Sequence, residues 1–328
     1  MEIKTQRKLD YLADTKADIK AALIEKGQAV SDADPFRSYG DKVRAIETGG
    51  GGGSLPAGVY WQQDTIPLPN ANYQVWFTYK GVLHAITQVS GTSSSTGTIH
   101  KYENGAWTQV ATAPSFNSFN FIRDCKVYEF HGKVYFFNSE FANYGIWDGS
   151  STVAIYTNAP KGYKNFVFVC GDKLRLYSYT EGGVYVFDET NNTWALEHTP
   201  GAKYAYYYFY PVGDKVFAQN NKVMYEYDCD TGTLTKVGDL LDTGVDSAVV
   251  VGNYLYRFAS TTSAAGGSVL RYDTTTHTDK NVGTTPPVGS ISNTSAKISA
   301  AYYDGVRLVG TNKTLKYNFL MYEVEETE

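Results

Sequence analysis

A turn glycine set between two apolar runs recurs six times along the chain, and this repeat limits what 328 residues can fold into. It stands in YKGVLHAI at Gly81, HGKVYFF at Gly132, CGDKLRLY at Gly171, VGDKVFA at Gly213, VGNYLYRF at Gly252 and DGVRLVG at Gly305. The spacings are 51, 39, 42, 39 and 53 residues, with a mean of 44.8. Short alternating apolar runs on both sides of a glycine read as two hairpin strands. A third strand follows, carrying an aromatic before a polar turn: Tyr102, Trp147, Phe187, Tyr227 and Tyr272. A fourth runs out of that turn and often ends at proline, as at Pro114, Pro160, Pro200 and Pro286.

Four strands per repeat, six times over, predict a mainly β chain of radially arranged four-stranded sheets, a six-bladed β-propeller over residues 58–328. The 31 glycines, 28 tyrosines and only 19% charged residues suit turn-rich β-structure with aromatic faces. Only 23 residues follow Gly305, enough for two more strands. The missing fourth strand is expected at the other end, in VYWQQDTIPLP from Val59 to Pro69, which would close the last blade and remove open edges.

The string FDETNNTW, echoed in YENGAW and YDCDTGTL, has an aromatic, then Asp or another polar residue, then a Thr- or Asn-rich turn. In this it resembles the kelch family, and the likeness covers residues 58–328. It implies a kelch-like propeller, although one glycine, not two, precedes the second strand of each repeat.

Residues 1–47 read differently. Leu9, Leu12, Ile19, Leu23 and Ile24 recur at helical spacing, and Gly27 is a natural helix stop. A second stripe, Phe36, Tyr39, Val43 and Ile46, follows the capping candidates Ser31, Asp32 and Asp34 and the first-turn Pro35. Together they predict a short α-helical hairpin whose apolar stripes seek a partner chain, because so small a unit buries too little surface alone. Gly49 to Gly53 and the residues around them, 48–57, form a flexible linker.

The string KLDYLADTKADIKAALIEKG, continued by PFRSYGDKVRAIE, resembles the helical leader of tail, baseplate and appendage proteins of tailed phages. That resemblance implies a virion protein, a tail fibre or baseplate appendage for host attachment, whose residues 1–47 dock on other virion proteins and homo-oligomerise. The displayed propeller would then bind a host-surface glycan. Two alternatives stand beside this: a structural decoration of capsid or tail that binds neighbouring virion proteins, and a glycan-degrading enzyme.

Charge and motif content narrow the field. With 29 Lys and Arg against 34 Asp and Glu, the chain lacks the positive field a nucleic-acid partner requires. No stretch approaches a membrane span, so no membrane insertion is expected, and the start of the chain reads as cytosolic synthesis without an export signal. Cys125, Cys170 and Cys229, odd in number and 45 and 59 residues apart, read as buried thiols. His84, His100, His131, His198 and His277 show no metal spacing, and Asp228, Asp230 and Gly232 match only part of a calcium loop and are explained by a turn. No cofactor, no metal and no enzymatic motif is expected.

Strand alternation sorts the connections onto two faces. The turns after first and third strands are short, whereas 88–97, 113–124, 138–145, 259–268 and 285–296 are long and share the other face. Binding residues usually stand on such loops. The candidates are Phe116, Phe119 and Phe121 in one connection, Phe141, Asn143 and Tyr144 in a loop, and Tyr179 and Glu181 in another. Aromatic faces cover the C–H side of a sugar while carboxylates and amides take its hydroxyls; the alternative is that these aromatics cap the core. Trp107, Trp147 and Trp194 recur at blade positions that predict packing, and Tyr204 to Tyr210 read as one inner strand.

Overall fold

The computed structural model describes residues 15–17, 19–24, 30–31, 57–69, 73–88, 97–113, 125–138, 143–160, 166–205, 207–242, 247–258, 267–286, 298–303, 305–310 and 318–324. The chain divides into two compact units, Met1–Pro56 and Ala57–Glu328. In the first, residues 15–17 and 19–24 are helical, with Leu23 buried, Ile19 half-buried and Ile24 exposed. Leu9, Leu12, Phe36, Tyr39, Val43 and Ile46 lie outside the described residues.

The second unit is built of β-strands, the first of which is β1 (Gly58–Gln63). Four separate antiparallel sheets follow, each with its strands in chain order. They are β2 (Tyr73–Tyr79), β3 (Val82–Gln88), β4 (Gly97–Glu103) and β5 (Ala106–Ala113); β6 (Cys125–Phe130), β7 (Lys133–Asn138), β8 (Tyr144–Trp147) and β9 (Ala154–Tyr156); β10 (Phe166–Cys170), β11 (Lys173–Ser178), β12 (Gly183–Asp188) and β13 (Thr193–His198); and β14 (Tyr208–Val212), β15 (Lys215–Asn220), β16 (Val223–Tyr227) and β17 (Leu234–Asp239). The rest is β18 (Ser247–Val251), β19 (Tyr254–Phe258), β20 (Ser268–Asp273), β21 (Thr278–Thr284), β22 (Ile298–Tyr302), β23 (Val306–Gly310) and β24 (Phe319–Val324). These last strands form one eight-stranded sheet with β1, in the order β18-β19-β20-β21-β1-β24-β23-β22.

Inside it, β1 pairs antiparallel with β24 from Gly58↔Val324 to Gln63↔Phe319 and touches β21 only through the parallel pair Val59↔Gly283. Strand pairing ends at Gln63, so the segment from Asp64 to Pro69 is held by other means. Asp64 N–H donates to Asn318 O (2.9 Å), the Asn318 amide donates to Ile66 O (3.3 Å), and Arg307 Nε donates to Asp64 Oδ2 (2.6 Å).

The repeated glycines serve the backbone. At Gly132 the preceding His131 also has positive φ (47°, with 71° at the glycine), the requirement of a tight hairpin that matches strand twist. At Gly171 only the glycine does (58°), giving the other two-residue hairpin form. Gly305 differs: its φ is not positive, and an added Cβ would lie 2.8 Å from Leu320 Cδ1, the tip of a side chain that would have to turn aside.

The Asp after the third-strand aromatic caps its own turn. Asp188 Oδ1 accepts the N–H groups of Thr190 (2.9 Å) and Asn191 (3.3 Å), Asp228 those of Asp230 and Thr231 (both 2.9 Å), and Asp273 those of Thr275 and Thr276 (2.8 and 3.2 Å). The partial calcium loop at Asp228 is therefore a turn. Among the described residues no group of His, Cys, Asp and Glu is arranged to hold a metal.

The core is a circuit of apolar clusters between successive sheets. Phe77 of β2 meets Phe136 and Trp147 of the second sheet, and Tyr144 meets Phe187 and Trp194 of the third. Phe168 of β10 stacks on Phe209 of β14 at 4.4 Å, and Phe217 faces Tyr272. Tyr256 and Phe258 pack with Leu308 and Met321, and Val309 of β23 returns to Trp76 and Leu83 of the first sheet.

Three expectations change on this scaffold. Cys170 and Cys229 are not separate buried thiols but a disulfide, with Cα atoms 6.3 Å apart. A 59-residue separation conceals the pair in sequence, because stacking one sheet on the next brings the end of β10 beside the turn after β16. Tyr204 to Tyr210 are not one strand, since β14 begins at Tyr208. Tyr144 is not a loop residue but the fully buried first residue of β8, stacked between Phe137 (5.5 Å) and Tyr156 (5.2 Å).

Candidate functional site

Antiparallel order puts the turns after first and third strands at one end of every sheet and the remaining connections at the other. The first end is stitched from sheet to sheet. Tyr79 Oη donates to Gly132 O and Asp148 O, one in each of the two turns of the next sheet (both 3.0 Å). One sheet on, His131 spans both turns of its neighbour, with Nε2 2.6 Å from Asp172 Oδ1 and Nδ1 2.5 Å from Glu189 Oε2. Glu189 also accepts from Tyr135 Oη (2.8 Å), and Lys133 Nζ is 3.7 Å away.

A ring flanked by carboxylates on both nitrogens can donate from both only as the imidazolium. Its bonds to Asp172 and then Glu189 raise the His131 pKa. Burial pushes the Glu189 carboxyl up, but its bonds from His131 and Tyr135 prevail and hold it below the usual range. With no free nitrogen, His131 is a staple, not a base.

Because the folded pKa is raised, this contact stabilises fully below the ordinary histidine value of about 6.5 and is lost as pH rises through the folded value. Wild-type protein is expected to lose part of its denaturant resistance on that rise. His131→Asn, which tolerates the positive φ, is expected to show a flatter urea-midpoint profile. Matching profiles for the two proteins would refute the staple.

The other end carries the sequence candidates. Phe116, Phe119, Phe121 and Phe141 lie outside the described residues. Asn143 is half-buried at the entry to β8, beside the buried Tyr144. Tyr179 and Glu181 stand together in the turn from β11 to β12, closed by Gly182 N–H to Ser178 O (2.8 Å). Gly182 has φ +70°, and an added Cβ would lie 2.9 Å from Gly201 O. Glycine there lets the turn press against the connection from β13 to β14.

That connection is pinned at several points. Tyr204 N–H donates to Tyr179 O (2.8 Å), Tyr177 Oη donates to Ala205 O (2.7 Å), and Ala205 N–H donates to Ala202 O (3.2 Å). The Tyr207 ring covers Gly201, where an added Cβ would sit 2.8 Å from Cε2. Held in this way, Tyr204 adopts φ +64°, uncommon for an aromatic residue, while the residue is 63% exposed. Its ring meets that of Tyr179 edge-on at 5.7 Å. Below them Tyr207 crosses Tyr177 (5.6 Å) and Tyr225 (6.0 Å).

Glu181 is exposed and accepts a hydrogen bond from Tyr185 Oη; Lys203 is exposed on the connection. Burial pushes the Tyr177 and Tyr207 hydroxyls above the ordinary tyrosine pKa, so both remain neutral donors. The arrangement offers crossed aromatic faces, a carboxylate and an ammonium group. The sequence named Tyr179 and Glu181, which the structure places in one turn, but did not single out Tyr204, Tyr207 and Lys203 beside them as candidates. The Pro200-Gly201 pair, a turn signal just before them, could have placed them in a connection.

No family model matches the chain, and no curated protein is found as a relative. Among solved structures, one titled "Streptogramin B lyase structure" is similar at 11% identity and a TM-score of 0.50, covering 81% of this chain and 98% of that one. At that identity the likeness concerns the fold alone: a mainly β, propeller-like arrangement of four-stranded sheets.

Proposed function

We propose that the chain is a receptor-binding appendage of a tailed-phage virion, in which a six-bladed, kelch-like propeller presents its long-loop face to a carbohydrate of the host surface. The observation that carries this reading is Tyr204, an exposed aromatic held at positive φ and crossed by Tyr179 beside Glu181. Backbone strain at an exposed ring persists only where neighbouring contacts enforce it, and such positions cluster at ligand sites. The rings would cover the apolar side of a sugar, while Glu181 and Lys203 exchange hydrogen bonds with its hydroxyl groups.

Support for the virion setting comes from the sequence of residues 1–47, which resembles a phage helical leader, and from the glycine run Gly49 to Gly53 that follows it. In this reading residues 1–47 dock on other virion proteins and gather copies of the chain. Each site can then be weak, because several copies raise the effective concentration. Full-length protein labelled with a fluorophore is expected to stain cells of its host selectively, and free wall polysaccharide is expected to remove the stain. Equal staining of unrelated bacteria, or stain indifferent to polysaccharide, would contradict adhesion and favour a decorative role on the particle.

A further inference from the structure

We propose that Cys170 and Cys229 are a covalent lock on the junction between the β10–β13 and β14–β17 sheets, closed by a low-molecular-weight disulfide as oxidant, and that this lock steadies the tyrosine cluster at the opposite end of the same junction. Cys170 is the buried last residue of β10, and Cys229 is half-buried in the turn after β16. Their 6.3 Å Cα separation lies within the range a disulfide spans.

The backbone around the pair is positioned by other groups as well. Arg175, 3% exposed, donates through Nη1 to Cys170 O (2.6 Å) and through Nη2 to Cys229 O (3.2 Å). Glu197 accepts from Nε and Nη2 of the same guanidinium (2.6 and 3.2 Å), and Lys173 Nζ adds a bond to that carboxylate (3.0 Å). His198 Nε2 lies 3.2 Å from Cys229 O. Across the turn, an added Cβ at Gly232 would stand 2.5 Å from His198 Cβ, so the turn bears directly on β13. One buried arginine therefore holds both cysteine carbonyls in register.

The cluster that holds both cysteines is also the one that reaches the candidate site. It runs from Cys170 through Phe168 and Phe209 to Tyr177, and Tyr179 and Tyr207 pack against it. Phe209 lies 5.4 Å from the Tyr177 ring, and Tyr177 lies 5.6 Å from Tyr207. Loosening the sheets at the cysteine end therefore loosens the packing under Gly201, Tyr204 and Tyr207.

The chemistry balances as thiol–disulfide exchange. The more exposed Cys229 thiolate attacks the small disulfide, forming a mixed disulfide and expelling one small thiolate. The Cys170 thiolate then attacks Cys229 Sγ and expels the second. The protein gives up two electrons and two protons, and the oxidant leaves as two thiols.

The test uses the full chain, oxidised with glutathione disulfide or reduced with dithiothreitol. Peptide mapping should find Cys170 linked to Cys229 with Cys125 alkylatable. Reduction should lower the melting temperature by about 8 °C, as expected for a bridge that closes a long loop. It should also speed amide exchange at residues 202–208 about tenfold while strands of distant sheets are unaffected. Cys229→Ala should reproduce the reduced state, and Cys125→Ser should retain the difference. A link that contains Cys125, or equal melting of oxidised and reduced protein, would overturn the lock; a lower melting temperature with unchanged exchange at 202–208 would overturn its steadying role. None of these readouts requires a glycan, so the lock and the adhesion reading fail separately.

Discussion

Asp64→Ala is expected to lower the melting temperature of the chain by roughly 6–10 °C, corresponding to about 3–5 kcal/mol. Asp64 and Arg307 lie 243 residues apart, their side chains are each only 3% exposed, and their atoms approach to 2.6 Å. Removing the carboxylate takes from the buried guanidinium its charged partner, while Gly305 O at 3.4 Å and the Tyr303 ring stay among its contacts. Breaking a buried ion pair by removing one partner costs far more than the intact pair contributes. The pair also fastens the stretch after β1, where strand pairing has stopped and Ile66 enters the cluster with Trp76 and Leu83.

A double replacement separates the two effects. Asp64→Leu with Arg307→Met removes both charges at similar volume and is expected to recover most of the loss, since apolar groups often replace a buried pair at little cost. Thermal melts followed by circular dichroism provide the comparison. Asp64→Ala melting within about 1 °C of wild type would refute the assigned role.

Tyr204→Gly is expected to separate stability from binding. At φ +64° a tyrosine is strained and a glycine is not, so the variant should melt at or slightly above the wild-type temperature. Losing the ring of a residue that is 63% exposed removes little core. Per-site affinity for the host polysaccharide should nonetheless fall at least about tenfold, near 1.4 kcal/mol, with a larger loss in multivalent staining. A residue whose removal stabilises the fold and abolishes binding is one retained for function. Tyr204→Phe keeps the ring and should retain most of the affinity. Wild-type affinity in Tyr204→Gly would remove this ring from the site.

The legible part of the molecule was the part written in local backbone chemistry. Gly132 and Gly171 announce their hairpins through the φ values that only such turns require, and Asp188 and Asp273 announce theirs by capping them. Short-range alternation therefore yielded strands in groups of four. What the sequence concealed depends on neighbours in space. Cys170 and Cys229 meet because one sheet stacks on the next, and Tyr144 is buried because Phe187 and Trp194 of the following sheet cover it.

The candidate site divides along the same line. Tyr179 and Glu181 share a turn with its own glycine, which is a local fact. Tyr204 enters through a backbone bond to Tyr179 and a hydroxyl bond from Tyr177 to Ala205, both reaching between residues more than twenty positions apart. Alternation misled at Tyr204 to Tyr210, because a run of tyrosines reads as a strand whether it continues β14 or leads into it.

In the function proposed above, the end of the molecule bearing Tyr179, Glu181 and Tyr204 holds a glycan. Saturation-transfer NMR on full-length protein mixed with fragments of the host wall polysaccharide tests it most directly. Transfer is expected from aromatic protons to the ring C–H protons of a sugar, abolished in Tyr204→Gly and retained in Tyr204→Phe. Equal transfer in wild type and Tyr204→Gly, or none from any fragment that blocks cell staining, would contradict it.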